Sequence, residues 1–392
     1  MFVHWGAYAI PARGEWVLNR ERIPLEEYRD KYVSAWKAEN YFPEDWVRLA
    51  QEAGMGYVVL TTRHHDGFAL WDSRVNPFNA GKLGPRRDLV APFSEAVRRG
   101  GLKLGFYYSP AAWAHPDYPG AYFRDWPKEN DWKDEASRQR FIAYYRAELR
   151  ELMTGYGKVD YLWYDGCVPS NLDGTETNEE LRRLQPDMVI TERNGPPFDV
   201  HISEQIIKPA APGQAWEACL TLNNNWAYHA GDSDYKSAKQ VLDLLLTTSA
   251  SAGNLLLNVG PRADGTIPEE SVKILREAGQ WLQRNKAFLA ESDRSPFTWN
   301  NTAKVTVKEN RIYLHFLADP LGSFCWSEVK NKVRAVRFLA TGQAISFRQE
   351  GEHLFLEKLP RPLPDDPITT VEIEVEGKPQ PITEKSTFWI QG

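Results

Sequence analysis

The chain has 392 residues, 42% of them hydrophobic and 26% charged, which is typical of a globular protein with room for one large and one small domain. Its net charge of −6 provides no basic field, so neither nucleic acid nor a membrane is an expected partner. Three cysteines, Cys167, Cys219 and Cys325, are too few and too scattered for a disulfide framework or a cysteine-based metal site, and we interpret them as reduced thiols. The 15 Trp and 17 Tyr residues are mostly core material, and they also provide flat rings on which a ring-shaped ligand can stack.

Apolar runs that alternate with helical patterns organise residues 1–295. Eight runs predict strands that begin near residues 2, 57, 103, 160, 188, 201, 214 and 254, of which the first ends on His4 and Trp5 and the fifth ends at Arg193. Most of them are separated by segments with helical spacing, at 42–55, 89–100, 137–153, 178–184, 236–252 and 269–285. This alternation predicts an α/β fold of the (β/α)8 type, a TIM-like barrel.

Helical spacing stops after residue 295. Short alternating runs follow at 305–307, 311–316, 333–339, 344–348, 354–359 and 369–375, with turns rich in Gly, Pro, Asn and Asp. This pattern predicts a C-terminal antiparallel β-sandwich. We therefore divide the chain into a catalytic barrel at 1–295 and a sandwich at 296–392, and we expect the sandwich to stabilise the protein without taking part in catalysis.

Polar side chains lie where the predicted strands end. In a (β/α)8 barrel the C-terminal ends of the strands meet at the rim that carries the active site. Asp165 is the first candidate, because it follows the apolar run 161–164 and precedes Gly166. The other polar residues at strand ends are His4, His64, His65, Tyr107, Arg193, Glu204, Glu217 and Asn258. Reactive groups at nearly every strand end predict catalysis at this rim.

The acidic residues at the rim indicate carboxylate chemistry, since the sequence has no P-loop and no Gly-x-Gly-x-x-Gly motif. Glycoside hydrolysis fits two carboxyl groups: one attacks the anomeric carbon and the other donates a proton to the departing oxygen. Neutral histidines and an arginine can then bind sugar hydroxyls, because they present donors and acceptors in fixed directions.

The adjacent pair His64 and His65 raises the alternative of a metal site. Neighbouring residues on a strand point to opposite faces, so both rings cannot easily bind one ion unless the strand ends there. The sequence also lacks a His-Glu-x-x-His motif. We therefore predict that these histidines bind substrate and that no metal is required.

Six stretches, taken together, resemble the α-L-fucosidases of glycoside hydrolase family 29. They are 2–6, 62–68, 105–109, 163–166, 216–219 and 253–261. The match runs in order to about Ser295, and that family also has a β-sandwich after the barrel. The resemblance implies a retaining double displacement on terminal α-L-fucosyl residues of oligosaccharides or glycoconjugates, with no metal or organic cofactor.

The resemblance also implies roles for individual residues. Asp165 matches the nucleophile, and Trp226 falls where a ring closes over the sugar. The positions that match residues of the sugar pocket are His4, Glu15, Trp16, His64, His65, Tyr107, Trp163 and Arg193, and Trp216 is included as a further substrate-binding ring. Glu204 is the preferred acid/base, with its carboxyl about 5–5.5 Å from that of Asp165, and Glu217 is the alternative.

The sequence departs from the family at 191–195, where Thr191-Glu192-Arg193 stands in place of an Asn-Asp-Arg or Asn-Asn-Arg run. This departure leaves the role of Glu192 open. Two rival interpretations also stay open: a related glycosidase that acts on an L-galactose-like sugar, and a carbohydrate-binding barrel without turnover.

The predicted first strand begins at Phe2, whereas family members usually have a segment before it. We therefore expect this strand to fray and an upstream lead-in to be missing. These residues contain no signal peptide, which favours the cytoplasm and leaves a secreted or periplasmic location open. Formation of a homo-oligomer is also left open.

Overall fold

The structure of the protein is a computed structural model. It describes residues 1–119, 131–166, 172–289, 293–297 and 302–382. The thiol prediction for Cys167 lies outside the described residues. Of the other two cysteines, Cys219 is buried, Cys325 is exposed, and both are free thiols.

Eight strands form a single sheet. They are β1 (Phe2–Val3), β2 (Tyr57–Arg63), β3 (Lys103–Tyr108), β4 (Tyr161–Tyr164), β5 (Val189–Ile190), β6 (His201–Glu204), β7 (Trp216–Thr221) and β8 (Asn254–Val259). The strand order is β5-β4-β3-β2-β1-β8-β7-β6, and the pairs from β8 through β1 to β5 are parallel. A parallel bridge between Thr191 and Val200 links the segments next to β5 and β6, the two ends of this order. The predicted TIM-like barrel is confirmed.

Helices occupy most of the segments that the spacing predicted. They are α1 (Val17–Arg20), α2 (Leu25–Glu27), α3 (Pro43–Glu52), α4 (Val90–Arg99), α5 (Glu135–Gly155), α6 (Gly174–Leu184), α7 (Ala238–Ala250) and α8 (Glu269–Asn285). Pro43 stands in the first turn of α3, and capping boxes fix the starts of α5 and α7 at Asp134 and Ser237. These caps explain why the observed helix starts differ from the predicted starts by a few residues. No helix in the described part of the chain is long and apolar enough to cross a membrane.

The first strand is shorter than predicted and firmly held. It ends at Val3, because the amide of Trp5 donates to the side-chain hydroxyl of Thr61 (3.0 Å) and not to the backbone of a neighbouring strand. It pairs with β2 on one side and β8 on the other, and the amino group of Met1 donates to the Tyr57 carbonyl at 2.7 Å. The expected fraying is therefore wrong, because both edges of this strand are hydrogen-bonded and Met1 is buried.

The interior of the barrel contains one cluster of apolar side chains. Its buried members are Phe2, Val59, Tyr107, Tyr161, Trp163, Cys219 and Leu256, and Ile202 packs against it. Because residues two apart on a strand share a face, the residue two positions later on each strand points inward one layer nearer the C-terminal rim. This rule places His4, Asp165 and Asn258 in the rim layer.

The C-terminal part consists of two antiparallel sheets. The strands are β9 (Ala303–Lys308), β10 (Arg311–Phe316), β11 (Phe324–Trp326), β12 (Val333–Phe338), β13 (Ser346–Glu350), β14 (His353–Glu357) and β15 (Thr369–Val375), ordered β12-β15-β10-β9 and β11-β14-β13. Side chains of both sheets, among them Ile312, Leu356 and Ile373, share one core. The predicted β-sandwich is confirmed, and the three-residue β11 was too short for the pattern to reveal.

Residue contacts divide the chain into two compact units. The first comprises Met1–Ile202, Cys219–Tyr235 and Leu256–Lys273, and the second comprises Ser203–Ala218, Lys236–Leu255 and Ile274–Gly392. Neither unit is a continuous stretch of chain, and the domain boundary at residue 295 stays a prediction.

Candidate active site

Asp165 directly follows β4, at the point where the chain turns at Gly166 with φ 82°. Its Oδ1 accepts hydrogen bonds from the Gly166 amide (2.5 Å) and from Arg193 Nη1 (2.6 Å). Its Oδ2 accepts from the Tyr107 hydroxyl at 2.5 Å and lies 3.4 Å from His65 Nε2. The side chain is 17% exposed, so the carboxylate is both oriented and accessible.

The charge balance around Asp165 favours its ionised form. Burial raises the pKa of Asp165, but His65, Arg193 and the Tyr107 hydroxyl together hold this pKa below its ordinary value. Burial lowers the pKa of His65 to about 4, in spite of its attraction to Asp165, so this ring is neutral at neutral pH. Arg193 is therefore the cation that balances Asp165 there, and the ionised carboxylate is the form that a nucleophile requires.

His64 and His65 lie side by side after the end of β2, with ring centroids 4.1 Å apart. The strand ends at Arg63 and a turn closes between the His64 carbonyl and the Gly67 amide (3.0 Å), so the exception foreseen for a strand end applies and the two rings lie together. Ligand atoms of His64, His65 and Asp165 lie within 4.8 Å of one another. Both predicted histidines thus meet the predicted nucleophile.

The two rings differ in what holds them. His65 Nδ1 lies 2.6 Å from the Ser109 hydroxyl, while its ring packs edge-on against Trp16 at 5.1 Å. His64 lies parallel to Tyr107, with centroids 5.5 Å apart, and its buried Nδ1 has no hydrogen-bond partner among the described residues. Burial also lowers the pKa of His64 well below its usual value. A neutral, desolvated ring nitrogen of this kind is suited to a ligand hydroxyl.

His4 extends the site across β1 and β8. Its Nδ1 is 2.7 Å from Asn258 Oδ1, and Asn258 Nδ2 donates to the Trp226 carbonyl at 2.6 Å. The Trp226 ring lies 5.0 Å from the His4 ring. Burial lowers the pKa of His4 to about 4, against the effect of its bond to Asn258. Asn258 therefore orients His4 and ties the Trp226 segment to the rim.

Glu15 and Trp16 come from the loop before α1. Glu15 Oε2 accepts from the Ala227 amide at 3.1 Å, and burial raises the pKa of this carboxyl although backbone amides lower it. Trp16 packs against Trp113 at 5.0 Å, and Trp113 also lies 5.3 Å from His65. Sequence reasoning missed Trp113, for which the only signal was a ring in the loop after β3.

Arg193 is brought to Asp165 by a turn. Its segment was predicted as a strand through residue 193, but β5 ends at Ile190 and Glu192–Asn194 form a 3-10 turn. The guanidinium lies 4.9 Å from the centre of the Trp163 ring, which adds a cation–π contact to the ion pair. The turn changes the direction of the chain, so Arg193 points back toward the end of β4.

Glu192, at the position where the sequence departs from the family, binds protein groups. Its Oε2 lies 2.6 Å from His201 Nδ1 and its Oε1 accepts from the Ile202 amide at 2.9 Å. These contacts join the 3-10 turn that carries Arg193 to the start of β6. The Glu192 side chain therefore holds the backbone of this turn against β6.

The two candidate acid/base residues lie at opposite ends of their strands. Glu204 is the last residue of β6, is exposed, and shares a strand face with Ile202 of the interior cluster. Glu217 is the second residue of β7, is 1% exposed, and precedes Cys219 of that cluster by two residues. Along the strands, Glu204 is therefore on the rim side of the cluster and Glu217 on the far side.

Trp216 does not lie at the rim. It starts β7 on the face opposite to Cys219, and its indole Nε1 donates to the Ser251 carbonyl at 3.1 Å. A Cβ added to Gly253 would meet the Trp216 ring at 2.2 Å, so the ring packs directly on the chain between α7 and β8. The substrate-binding role predicted for Trp216 is wrong, since residue alternation turns its ring away from the barrel interior.

A buried ion pair supports the histidine turn. Arg63 Nη1 is 2.9 Å from Glu148 Oε2, both side chains are fully buried, and Arg63 Nη2 also donates to the Ser109 carbonyl. Glu148 in turn accepts from the Tyr108 hydroxyl (2.8 Å) and from Asn76 Nδ2 (3.0 Å). Sequence reasoning missed this network, because a glutamate in the middle of α5 carries no signal for a partner on β2.

These features define the class of enzyme to which the protein belongs. A barrel of eight parallel strands that presents an ionised carboxylate among neutral imidazoles and indole rings at its C-terminal rim is the arrangement of a glycoside hydrolase.

The family follows from comparison with known proteins. The family model described as alpha-L-fucosidase matches residues 1–287, and the chain belongs to this family, glycoside hydrolase family 29. Human tissue alpha-L-fucosidase is 32% identical over 82% of this chain and 74% of its own length. Among solved structures, alpha-L-fucosidase isoenzyme 1 from Paenibacillus thiaminolyticus is 36% identical, with a TM-score of 0.89 over 96% of each chain. The alpha-fucosidase of Thermotoga maritima, solved with a mechanism-based inhibitor, is 27% identical, with a TM-score of 0.80 over 95% of this chain and 94% of its own.

Proposed function

We propose that the chain is a retaining exo-α-L-fucosidase that removes terminal α-L-fucosyl residues from oligosaccharides or glycoconjugates, with Asp165 as the nucleophile. The observation that carries this proposal is the environment of Asp165: three fixed donors orient its two oxygens, and its pKa is held low. A nucleophilic carboxylate has to be ionised and oriented before the sugar binds.

In the first step an oxygen of Asp165 attacks the anomeric carbon, and the bond to the leaving oxygen breaks as a carboxylic acid gives that oxygen its proton. In the second step the same residue, now a carboxylate, takes a proton from water, and the water oxygen displaces Asp165 from the anomeric carbon. Two inversions give net retention of configuration.

Glu204 is the residue that we assign to this proton transfer. Its place as the last residue of β6 supports the assignment, because catalytic groups of this fold come from the C-terminal ends of strands. The buried position of Glu217 near the start of β7 weakens the alternative. The carboxyl separation of about 5–5.5 Å stays a prediction of the retaining mechanism.

His4, His64 and His65 supply the polar contacts to the sugar. All three rings are buried and have lowered pKa values, so each carries one N–H donor and one lone pair at neutral pH. On His4 and His65 the Nδ1 atom is already paired with Asn258 and Ser109. Such rings bind hydroxyl groups without adding positive charge beside the nucleophile. Trp16 and Trp226 provide the apolar surfaces of the pocket.

The test is a panel of aryl glycosides, with the released sugar followed by proton NMR. We expect the aryl α-L-fucoside to be hydrolysed faster than its L-galactoside analogue and than the pyranoside that lacks the methyl group, and α-L-fucose to be the first anomer released. Release of the β anomer first would contradict the retaining mechanism. Absence of turnover on every aryl glycoside would favour a carbohydrate-binding barrel.

A further inference from the structure

The arrangement of His64, His65 and Asp165 has a second chemical capacity. Their ligand atoms all lie within 4.8 Å of one another, and His65 Nε2 is 3.4 Å from Asp165 Oδ2. Two ligands on a tetrahedral zinc ion, each about 2.0–2.1 Å from it, are about 3.3 Å apart. The His65 and Asp165 atoms already have this spacing, and a ring nitrogen of His64 within 4.8 Å of both makes a set of two nitrogens and one oxygen.

The surroundings orient these groups as metal ligands require. A ligating histidine usually has its second ring nitrogen fixed by a hydrogen bond, and His65 Nδ1 is fixed by the Ser109 hydroxyl at 2.6 Å. The buried Nδ1 of His64 has no hydrogen-bond partner in the part of the chain that the structure describes, so turning the ring breaks no bond at that nitrogen. Both rings are at most 3% exposed, which shields an ion from competing water.

We propose that His64, His65 and Asp165 form a site for a divalent transition metal such as Zn²⁺, which excludes the sugar and so makes the metal a reversible inhibitor. The site binds the ion through His64, His65 and an oxygen of Asp165, and a fourth position is open to water, as in zinc sites with three protein ligands. An ion there occupies the nucleophile that the proposed function requires. The inhibitory effect, though not the binding, therefore rests on that function.

Arg193 lowers the affinity of this site for a metal ion. Its Nη1 lies 2.6 Å from Asp165 Oδ1, so a positive charge already competes for the only anionic ligand of the set. A substitution that removes this charge slows hydrolysis, because Asp165 loses an orienting donor. The same substitution raises the affinity of the site for the metal. Opposite effects of one substitution on hydrolysis and on metal binding distinguish the metal site from general damage to the pocket.

The experiment is a calorimetric titration of Zn²⁺ alone into the full chain after dialysis against a chelator. The wild type should bind one ion per chain. His64→Phe, which keeps the ring volume but removes the nitrogens, and Asp165→Asn should each weaken binding at least tenfold. Arg193→Gln should tighten binding, and His353→Gln, at an exposed histidine of the sandwich, should leave it unchanged.

Absence of binding by the wild type would overturn the proposal, and so would wild-type affinity in both His64→Phe and Asp165→Asn. Thermal unfolding of each variant checks that the fold survives. Because the readout needs no substrate, an inactive enzyme that binds Zn²⁺ as described would overturn the proposed function alone. An active enzyme that binds no Zn²⁺ would overturn the metal site alone.

Discussion

Two arginine–carboxylate pairs lie close to strand ends of the barrel sheet, one partly exposed and one fully buried, and they serve different purposes. In the rim pair, Arg193 and Asp165 are 20% and 17% exposed, so the carboxylate is partly accessible. In the supporting pair, Arg63 and Glu148 are both fully buried between β2 and α5. Each pair joins an arginine to a carboxylate, so the difference comes from position relative to the sheet.

The partners of the two carboxylates explain the difference. Glu148 is held by Arg63, Tyr108 and Asn76, which lie on separate segments, so the pair joins elements and excludes water. Asp165 is held by Tyr107, Gly166 and Arg193 on the protein side, with the remaining side accessible. A fully enclosed carboxylate makes the fold depend on its partners, because losing one leaves a buried charge unpaired. A carboxylate fixed from behind and accessible from the front can react.

Replacing Asp165 should produce the largest change in activity. Asp165→Gly removes the proposed nucleophile, and we expect turnover of an aryl fucoside to fall by several factors of ten, each worth about 1.4 kcal/mol of activation free energy. Added azide should restore part of the turnover, because a small anion can enter the space left by the carboxylate. Near wild-type activity without an added anion would remove Asp165 from its role. Asp160→Asn, at the other end of the same segment, is the matched control and should remain active.

Replacing Glu204 should separate substrates by their leaving groups. Glu204→Ala should slow substrates with poor leaving groups by about 10²–10⁴-fold and activated aryl fucosides far less, since only the former need a proton. Steady-state rates on an aryl fucoside and on a fucosyl disaccharide measure the ratio. Glu217→Gln should alter stability and leave this ratio unchanged. If Glu217→Gln produces the split and Glu204→Ala does not, the acid/base role passes to Glu217.

Replacing Arg63 should act mainly on the stability of the fold and less on the catalytic rate. Arg63→Met leaves Glu148 buried without its cation, and we expect the free energy of unfolding to fall by about 3–5 kcal/mol, measured by urea denaturation. Arg48→Met removes an exposed partner of Asp45 and should cost about 0–1 kcal/mol. Equal costs for the two substitutions would contradict the structural role of the supporting pair.

A change of pH tests a buried histidine of the sandwich. His315 in the sandwich bonds to the hydroxyls of Thr306 and Thr370, and burial lowers its pKa to about 3. Because this pKa is below the unfolded value of about 6.5, the stabilising contribution is complete above pH 6.5 and is lost as the pH falls toward 3. We expect a slope of about 1.4 kcal/mol per pH unit from this residue in that interval.

Denaturant unfolding at a series of pH values measures the slope, and His315→Gln should reduce it while activity stays unchanged. His353→Gln, at an exposed histidine, is the control and should leave the slope as in the wild type. An unchanged slope in His315→Gln would show that His315 is protonated equally in both states.

The sequence predicted most of the architecture, because burial on both faces of a parallel sheet requires apolar runs and each crossover helix requires its own periodicity. All eight barrel strands lie where the runs predicted. The errors occur where side-chain contacts set the geometry. β1 ends early because the Trp5 amide bonds to a threonine hydroxyl, and the strand predicted to residue 193 ends at Ile190.

The site was predictable to the extent that it depends on strand ends. Asp165, His4, His64 and His65 meet as expected, since each follows a predicted strand. Ser109, Trp113 and Glu148 were not identified, because their roles depend on which loop or helix packs against the histidine turn. Trp216 was assigned from its motif, and alternation along β7 turns its ring the other way. Partners distant in the chain are fixed by packing, which a single sequence does not reveal.

The most direct test of the account is to identify the residue that bonds to the sugar. Incubation with 2-fluoro-fucosyl fluoride should slow hydrolysis of the covalent intermediate, since the fluorine opposes the positive charge that develops at the anomeric carbon. Mass spectrometry of the intact chain should then show one added 2-fluorofucosyl group, and peptide mapping should place it on Asp165. A label on Glu204, Glu217 or another carboxylate would contradict the assignment of the nucleophile, and an active enzyme that forms no adduct would contradict the double displacement.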